Sequence, residues 1–251
     1  MQNAVLVGLS RQVALARELD VVANNIANVN TSGYKADGSL FEEYLSTGAR
    51  ADQTGSRVSF VRDRGIWHDM SHGSVEHTGN PLDVAVDGNG FLTVQTPRGE
   101  RYTRNGSMQI NATGQLVTSE GYPVLGDGGP ITLQPNDRQV SISRDGTLSV
   151  REGTATVDSV RGKLRLVTFA DPQRLQKDGN GTFNPTRGAQ PQPATTDGLI
   201  QGALEKSNVR GVVEMSRMIE ITRSYTQIAG ILQQQADLGQ SAIDKLAEVP
   251  N

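Results

Sequence analysis

The stretch from Val5 to Lys35 reads VLVGLSRQVALARELDVVANNIANVNTSGYK. Its apolar residues recur at alternating steps of three and four positions: Leu6, Leu9, Val13, Ala16, Leu19, Ala23 and Ile26. This spacing predicts an amphipathic helix of about 24 residues, or about 36 Å. The run Asn28–Gly33 consists largely of residues that favour turns, so we expect the helix to end there.

The same spacing returns at the other end of the chain. It comprises Val212, Met215, Met218, Ile221, Tyr225, Ile228 and Leu232, continued by Ala236, Gly239, Ile243 and Leu246. Because a single helix with one apolar seam is marginal in water, each helix needs a partner. We therefore predict that the two terminal helices pair as an antiparallel coiled coil. Ser207 or Asn208 is the predicted N-cap of the second helix.

Between these seams the apolar period changes to two. Leu82, Val84 and Val86 alternate with more polar residues, and turn signals recur about every 8–12 residues, which indicates hairpins. The predicted fold class is α+β, with long terminal helices that enclose an all-β, hairpin-rich domain. The predicted division has four parts. They are residues 1–36, N-terminal helix; 37–77, a partly extended connection; 78–200, β-rich domain; and 201–251, C-terminal helix.

The connection carries the weakest pattern. Leu40, Phe41, Tyr44 and Leu45 predict one short amphipathic turn or helix. The small polar residues of Ser46–Ser56 predict a loop or mobile segment.

Composition excludes several classes of protein. Hydrophobic residues make up 35% of the 251 and aromatic residues 4%, which is low for an enzyme with a deep core. The net charge of −3 is dispersed, so no nucleic-acid groove is expected. No apolar run approaches the roughly 20 residues of a membrane span. The chain has no cysteine, which excludes thiol chemistry and disulfides. Its start lacks a basic segment, so we expect no cleaved signal peptide.

Two clusters of polar residues could hold a metal ion. His68, His72 and His77 could bind zinc or nickel, but Gly73 and nearby serines make a helix poor there, and a polar strand or loop edge is simpler. Asp83 and its neighbours lack the ligand spacing of a calcium loop and fit a hairpin turn better. We predict no metal, no cofactor and no catalytic residue.

The asparagines near the end of the first helix have two interpretations. Asn24, Asn25 and Asn28 could contact a partner chain, because an amide both donates and accepts hydrogen bonds. Alternatively, Asn28 only ends the helix.

Four motifs now stand in one order along the chain. They are Ala23–Lys35 (ANNIANVNTSGYK), Gly79–Asp83 (GNPLD), Tyr102–Ser107 (YTRNGS) and Gly202–Val209 (GALEKSNV). Together they resemble the bacterial flagellar rod and hook family. The resemblance covers most of the chain and is weakest over residues 46–77 and 150–195. Where relatives often carry Arg-Ala-Tyr-Glu, this chain has Arg-Ser-Tyr-Thr at positions 223–226.

The resemblance implies a structural subunit that polymerises helically and transmits torque in the flagellar basal body. The length and the absence of a large insertion argue against the hook protein. The Gly126–Ile131 stretch resembles the proximal rod subunit, with the distal rod protein as the alternative. The implied partners are other rod subunits, copies of itself and the flagellar type III export apparatus, and the implied location is the periplasmic part of the basal body. Candidate interface residues are Leu6, Leu9, Val13, Ala16, Leu19, Ala23, Asn24, Asn25, Ile26, Asn28, Leu204, Ser207, Asn208, Met215, Met218, Ile221, Tyr225, Ile228 and Leu232.

Two functions of other classes stay open from the residues alone. A β-rich enzyme acting on cell-wall glycan would need two carboxylates across a cleft. A monomeric binding module or export chaperone would need a stable soluble monomer.

Overall fold

The structure is a computed structural model that describes residues 2–50, 57–153, 156–186 and 188–247. Within these residues the chain forms two compact units. The helical unit combines Met1–Ala27, Asp37–Trp67 and Arg210–Asn251, as far as they are described. The body combines Asn28–Ala36 and His68–Val209.

The helical unit contains two long helices and one hairpin. Helix α1 spans Gln2–Ala27 and helix α2 spans Gly211–Ala247. The two helices contact each other, and α1 also contacts strand β1 (Asp37–Arg50), which pairs with β2 (Arg57–His68). The prediction of a long helix near each end of the chain is confirmed.

Three local predictions are wrong. The segment around Phe41 is part of β1, not a helical turn: its apolar residues have helical spacing, and the pairing with β2 overrides it. Residues 46–50 belong to the same strand rather than to a loop, and 51–56 lie outside the described residues. Helix α2 begins at Gly211, so neither Ser207 nor Asn208 is its N-cap.

The body is built from short strands and one 3-10 turn at Pro172–Arg174. The strands are β3 Val75–His77, β4 Val84–Asp87, β5 Phe91–Thr96, β6 Gly99–Thr103, β7 Met108–Ile110, β8 Leu116–Thr118, β9 Leu125–Gly126, β10 Gly129–Pro130, β11 Asp137–Ile142, β12 Thr147–Glu152, β13 Asp158–Lys163, β14 Leu166–Thr168, β15 Leu175–Lys177, β16 Thr182–Pro185, β17 Gln192–Pro193, β18 Gly198–Gln201 and β19 Ala203–Glu205.

The largest sheet has the strand order β15-β16-β6-β5-β14-β17, and all its pairs are antiparallel. A three-stranded sheet has the order β11-β12-β13. Strands from the two ends of the body also pair: β4 with β18, and β3 with β19. The hairpin-rich middle that the turn signals predict is confirmed, whereas β13 was not predicted.

The main core of the body lies among β4, β5, β8, β12 and β14. It is centred on side chains with almost no exposed surface, namely Val84, Val94, Leu116, Leu148, Val150 and Leu164. A second cluster is aromatic, with Phe91 in edge-to-face contact with Phe169 and Phe183. Such contacts add stability beyond buried area.

One glycine shows how closely the chain passes itself. Gly106 accepts a hydrogen bond from the N–H of Val84 at 3.0 Å. A Cβ atom at position 106 would collide with the carbonyl oxygen of Val84. Asn105-Gly106 joins β6 to β7, which do not pair with each other, and position 106 is one where a side chain does not fit.

Candidate functional site

The interface residues predicted on α1 do not all lie on the buried side of the helix. Leu6, Leu9 and Val13 expose about half of their surface, at 51%, 50% and 51%. Ala23 and Asn24 are exposed, and Ala16, Leu19 and Ile26 are half-buried. The buried residues are Ala14, Val21, Val22 and Asn25. Helix α1 has apolar residues on two faces, and its sequence period does not decide which face packs inside the subunit.

Helix α2 buries the middle of its predicted seam. Ile221 is 4% exposed, and Tyr225, Ile228 and Leu232 are half-buried. Met215 and Met218, nearer the start of the helix, expose 49% and 36% of their surface.

Specific contacts join the two helices. The guanidinium of Arg217 donates to the carboxylate of Glu18 at 2.7 Å. Gly8 lies beside Leu232, because a Cβ atom at position 8 would be 2.8 Å from its Cδ2. The polar groups on this face are paired rather than left open to a partner.

Asn25 is held inside the helical unit. Its side chain is 1% exposed and pairs twice with the backbone of Asp37. Its Nδ2 donates to the Asp37 carbonyl at 2.8 Å, and the Asp37 N–H donates to its Oδ1 at 2.9 Å. The same Nδ2 lies 3.4 Å from a carboxylate oxygen of Glu214. Asn24 instead donates to Asp20 within its own helix.

The other predicted residues belong to the body. Asn28 accepts hydrogen bonds from the N–H and hydroxyl of Thr31, as expected of a residue that ends a helix. Leu204 lies in β19 opposite Glu76. Ser207 accepts a hydrogen bond from the N–H of Val209 at 3.2 Å.

Asn208 links two parts of the body. Its Oδ1 accepts from the N–H of Ala36 at 2.7 Å. Its Nδ2 donates to the carbonyl oxygens of Asp69 at 2.8 Å and Ser71 at 3.1 Å. These three partners are backbone groups, so the side-chain amide of Asn208 takes the place of a peptide group in the hydrogen bonding between the two segments.

Next to Asn208 lies a buried cluster of charges to which the sequence analysis assigned no role. Lys35, Arg104 and Glu205 are each 2% exposed or less. The ammonium of Lys35 donates to Oε1 of Glu205 at 2.6 Å and to the carbonyl of Ser71 at 2.7 Å. The Nε of Arg104 lies 3.6 Å from Oε2 of Glu205.

Among the described residues, neither Nε of Arg104 nor Oε2 of Glu205 has a hydrogen-bond partner, so these two atoms interact through charge alone. The other two nitrogens of Arg104 have partners. Its Nη1 donates to the carbonyl of Gly90 at 2.8 Å, and its Nη2 lies 3.1 Å from Nδ1 of His72. The guanidinium also stands 5.5 Å from the ring centre of Phe91. The only signal for this cluster in the sequence is that each of its three charges lies inside a motif quoted above.

Burial changes the acidity of both cations. It lowers the pKa of Lys35 below its ordinary value, against the opposing effect of Glu205. It also lowers the pKa of Arg104, against Glu205 and Asp197. Both shifts follow from the cost of a charge in a poorly hydrated place.

Gly33 allows the chain to approach this cluster. It has φ +70°, and a Cβ atom there would collide with the backbone of Arg104 and Asn105. Its N–H donates to the carbonyl of Glu205 at 2.7 Å.

The three histidines do not converge. His68 bonds Gln173 through its backbone, His72 contacts Arg104, and His77 lies in β3 opposite Ala203. Among the residues that the structure describes, no group of three or more acidic or histidine side chains could hold a metal ion. Neither described helix is long and apolar enough to cross a bilayer.

Comparison with known proteins identifies the family. A protein from Caulobacter vibrioides, the flagellar basal-body rod protein FlgF, is 41% identical over 99% of this chain and its own full length. The chain belongs to the flagellar basal-body rod protein family. The FlgF protein of Mesorhizobium japonicum is 36% identical to this rod protein, over 98% of each chain. The rod protein FlgG of Buchnera aphidicola subsp. Schizaphis graminum is 33% identical, over 82% of this chain and 85% of its own.

Three family models match successive parts of this rod protein. "Flagella basal body rod protein" matches residues 6–35, in α1 and the loop that follows it. "Flagellar hook protein FlgE/F/G D1 domain" matches residues 85–150, in the body. "Flagellar basal body rod FlgEFG protein C-terminal" matches residues 200–245, from β18 into α2. Lys35 and Glu205 therefore lie within the first and third of these matches.

Proposed function

We propose that this rod protein is a structural, non-catalytic subunit of the proximal rod of the bacterial flagellar basal body. The full-length similarity to proteins named FlgF carries the proposal. The relatives named FlgG are 31–34% identical over 82–92% of the chain, below these two FlgF proteins in both respects, which favours the proximal over the distal rod.

The geometry of the helical unit supports an antiparallel coiled coil. Contacts along α1 proceed from Gly8 through Glu18 to Asn25, while their partners on α2 proceed from Leu232 through Arg217 to Glu214. As the residue number rises on one helix it falls on the other, which is the pattern of antiparallel neighbours.

The outer faces of these helices are suited to assembly. Helix α1 exposes Leu6, Leu9 and Val13. Helix α2 exposes a further set of apolar side chains, namely Val212, Val213, Ile219, Ile231, Leu238 and Ile243. Each such side chain contributes about 1.5–3 kcal/mol when it is fully buried. Packing against copies or other rod subunits provides that burial, and repeated contacts that do not close generate a helical polymer that carries torque.

The remaining parts of the proposal follow from the family. As the resemblance to this family implies, the subunit reaches the periplasmic part of the basal body through the flagellar type III export apparatus. The four-part division of the chain at residues 36, 77 and 200 stays a prediction.

The test replaces the chromosomal copy in a motile bacterium by the triple variant Leu6→Ser, Leu9→Ser, Val13→Ser. We expect loss of swimming and of assembled rods, while the purified subunits remain folded by circular dichroism. A matched variant, Arg11→Ser with Asp20→Ser, changes exposed polar residues on the same helix and should swim. Swimming of the triple variant at the wild-type rate would contradict the proposed interface.

A further inference from the structure

The charge cluster of the body contains two buried cations and one buried carboxylate in direct contact. Lys35 and Arg104 flank opposite oxygens of Glu205. Two more carboxylates attract these cations without a hydrogen bond, Asp69 acting on Lys35 and Asp197 on Arg104. The half-exposed ring of His72 faces both Arg104 and Glu205.

Burying an ion is costly unless an opposite charge compensates it at close range. Without Glu205, the ammonium of Lys35 and the guanidinium of Arg104 would share one small buried space. Removal of Lys35 would leave Arg104 and Glu205 as one cation and one anion. Both cations therefore depend on Glu205 for charge compensation, whereas Glu205 keeps one cation when the other is removed.

Glu205 also fixes two loops through their backbone. Its Oε1 accepts from the N–H of Gly73 at 3.0 Å, and its own carbonyl accepts from the N–H of Gly33. Lys35 extends this arrangement through its bond to the carbonyl of Ser71. The segments 33–35 and 71–73 are thus both held at one carboxylate.

Glu205 comes late in the chain, 170 positions after Lys35. It lies at the end of β19, the last strand of the body, which pairs with β3, the first. If the rest of the body forms before β19, Lys35 and Arg104 lie together without their shared counter-ion.

We propose that Glu205 is a charge-dependent latch, which closes segments 33–35 and 71–73 over Lys35 and Arg104 only when β19 is in place. In its absence the two segments stay open to water while the sheets of the body persist. Closure of the body is thereby coupled to the arrival of its last strand. The latch rests on the geometry of the body and not on the proposed place in the flagellum.

The test compares full-length variants by amide hydrogen exchange and urea unfolding. Glu205→Gln keeps the shape of the side chain and an oxygen for the bonds at Oε1. It removes the charge and places an NH2 group at the Oε2 position, which accepts no hydrogen bond from the described residues in the wild type. We expect the amides of Gly33 and Gly73 to exchange at least about tenfold faster, with strand amides of β5 and β6 unchanged. Lys35→Met removes the bond to the Ser71 carbonyl as well, so exchange at both amides should rise, but at least about threefold less than in Glu205→Gln, because Arg104 still balances Glu205.

The double variant separates charge from packing. Adding Lys35→Met to Glu205→Gln should slow exchange at Gly33 and Gly73 again, because it removes one of the two uncompensated cations. The control is Glu76→Gln, the same change on the neighbouring strand β3, where Glu76 pairs with Lys206 at 2.8 Å on the surface. It should change neither amide.

Three results would overturn the latch. The first is wild-type exchange at both glycines in Glu205→Gln. The second is a uniform rise in exchange across β5 and β6 as well, since that would mean global rather than local opening. If Glu205→Gln does not fold, the double variant decides, and its failure to fold would show that charge balance is not the cause.

Discussion

The side-chain oxygen of Asn208 accepts a hydrogen bond from the backbone N–H of Ala36 at 2.7 Å, across 172 positions of the chain. Its nitrogen serves two backbone carbonyls on the segment that contains Asp69 and Ser71. Three stretches of the body that are distant in sequence therefore meet at one amide.

Replacing Asn208 by alanine should destabilise the body. The change removes the side-chain partner of the Ala36 N–H and of the Asp69 carbonyl, and one of the two donors to the Ser71 carbonyl, which Lys35 still serves. We expect a cost of about 1–3 kcal/mol in the free energy of unfolding. Urea denaturation followed by circular dichroism measures it. Ser207→Ala is the matched control, since Ser207 only accepts one local hydrogen bond, and it should cost less than about 1 kcal/mol. Equal effects of the two variants would contradict the role assigned to Asn208.

Asn25 and its neighbour Asn24 should differ in the same way. Asn25→Ala removes two hydrogen bonds to the backbone of Asp37 from a buried position and should cost about 2–3 kcal/mol. Asn24→Ala removes one exposed bond to its own helix and should stay within about 0.5 kcal/mol. Thermal unfolding of the purified variants compares them. A larger loss for Asn24→Ala than for Asn25→Ala would be inconsistent with this packing.

Gly106 and Gly128 form a second matched pair. Gly106→Ala places a Cβ atom into the carbonyl of Val84, and because backbone does not yield easily we expect a loss of about 2 kcal/mol or more. Gly128→Ala meets nothing within 4 Å and should change stability by less than about 0.5 kcal/mol. Urea midpoints at constant slope measure both. A tolerated alanine at position 106 would show that the two segments are less closely packed than described.

Acid should weaken the three-stranded sheet through Asp137. Two bonds from the guanidinium of Arg161, at 2.5 and 2.8 Å, lower the pKa of Asp137 below its ordinary 3.8. The unfolded chain then binds this proton more readily than the folded one. The stabilisation is complete above the ordinary value and is lost as the pH falls through the lowered one.

Asp137→Asn tests that sign. Between about pH 5 and about pH 2 the wild type should lose more free energy of unfolding than the variant, because the variant has no carboxylate to protonate. Asp127→Asn, at an exposed carboxylate without an ion-pair partner among the described residues, is the control and should follow the wild type. A variant whose pH profile parallels the wild type would remove Asp137 from the acid response.

The sequence predicts the elements of this fold better than their faces. The period of three and four identifies α1 correctly, yet Leu6 and Leu9 lie half-exposed whereas Val21 and Val22 are buried. Both stripes are apolar, so only the position of the partner helix distinguishes them. The segment around Phe41 has the spacing of a helix but forms part of β1, and its pairing with β2 is not visible in the local sequence.

The charge cluster escapes prediction for a different reason. Lys35 and Glu205 each read as ordinary surface charges, because lysine and glutamate are rarely buried. Their contact spans 170 positions and joins two separate motifs. The one sign of this contact in the sequence is that each of the two motifs includes a charged residue.

Strand β3 pairs with β19, and β4 pairs with β18. The first and last strands of the body therefore stay side by side whatever the size of the body between them. The chain enters and leaves along neighbouring strands that are bonded to each other. Extra residues inserted at an outlying turn such as Asp127–Gly129 would enlarge the body without altering the distance between entry and exit. A different insert could therefore be grafted into the body while β3 and β19 keep the same spacing.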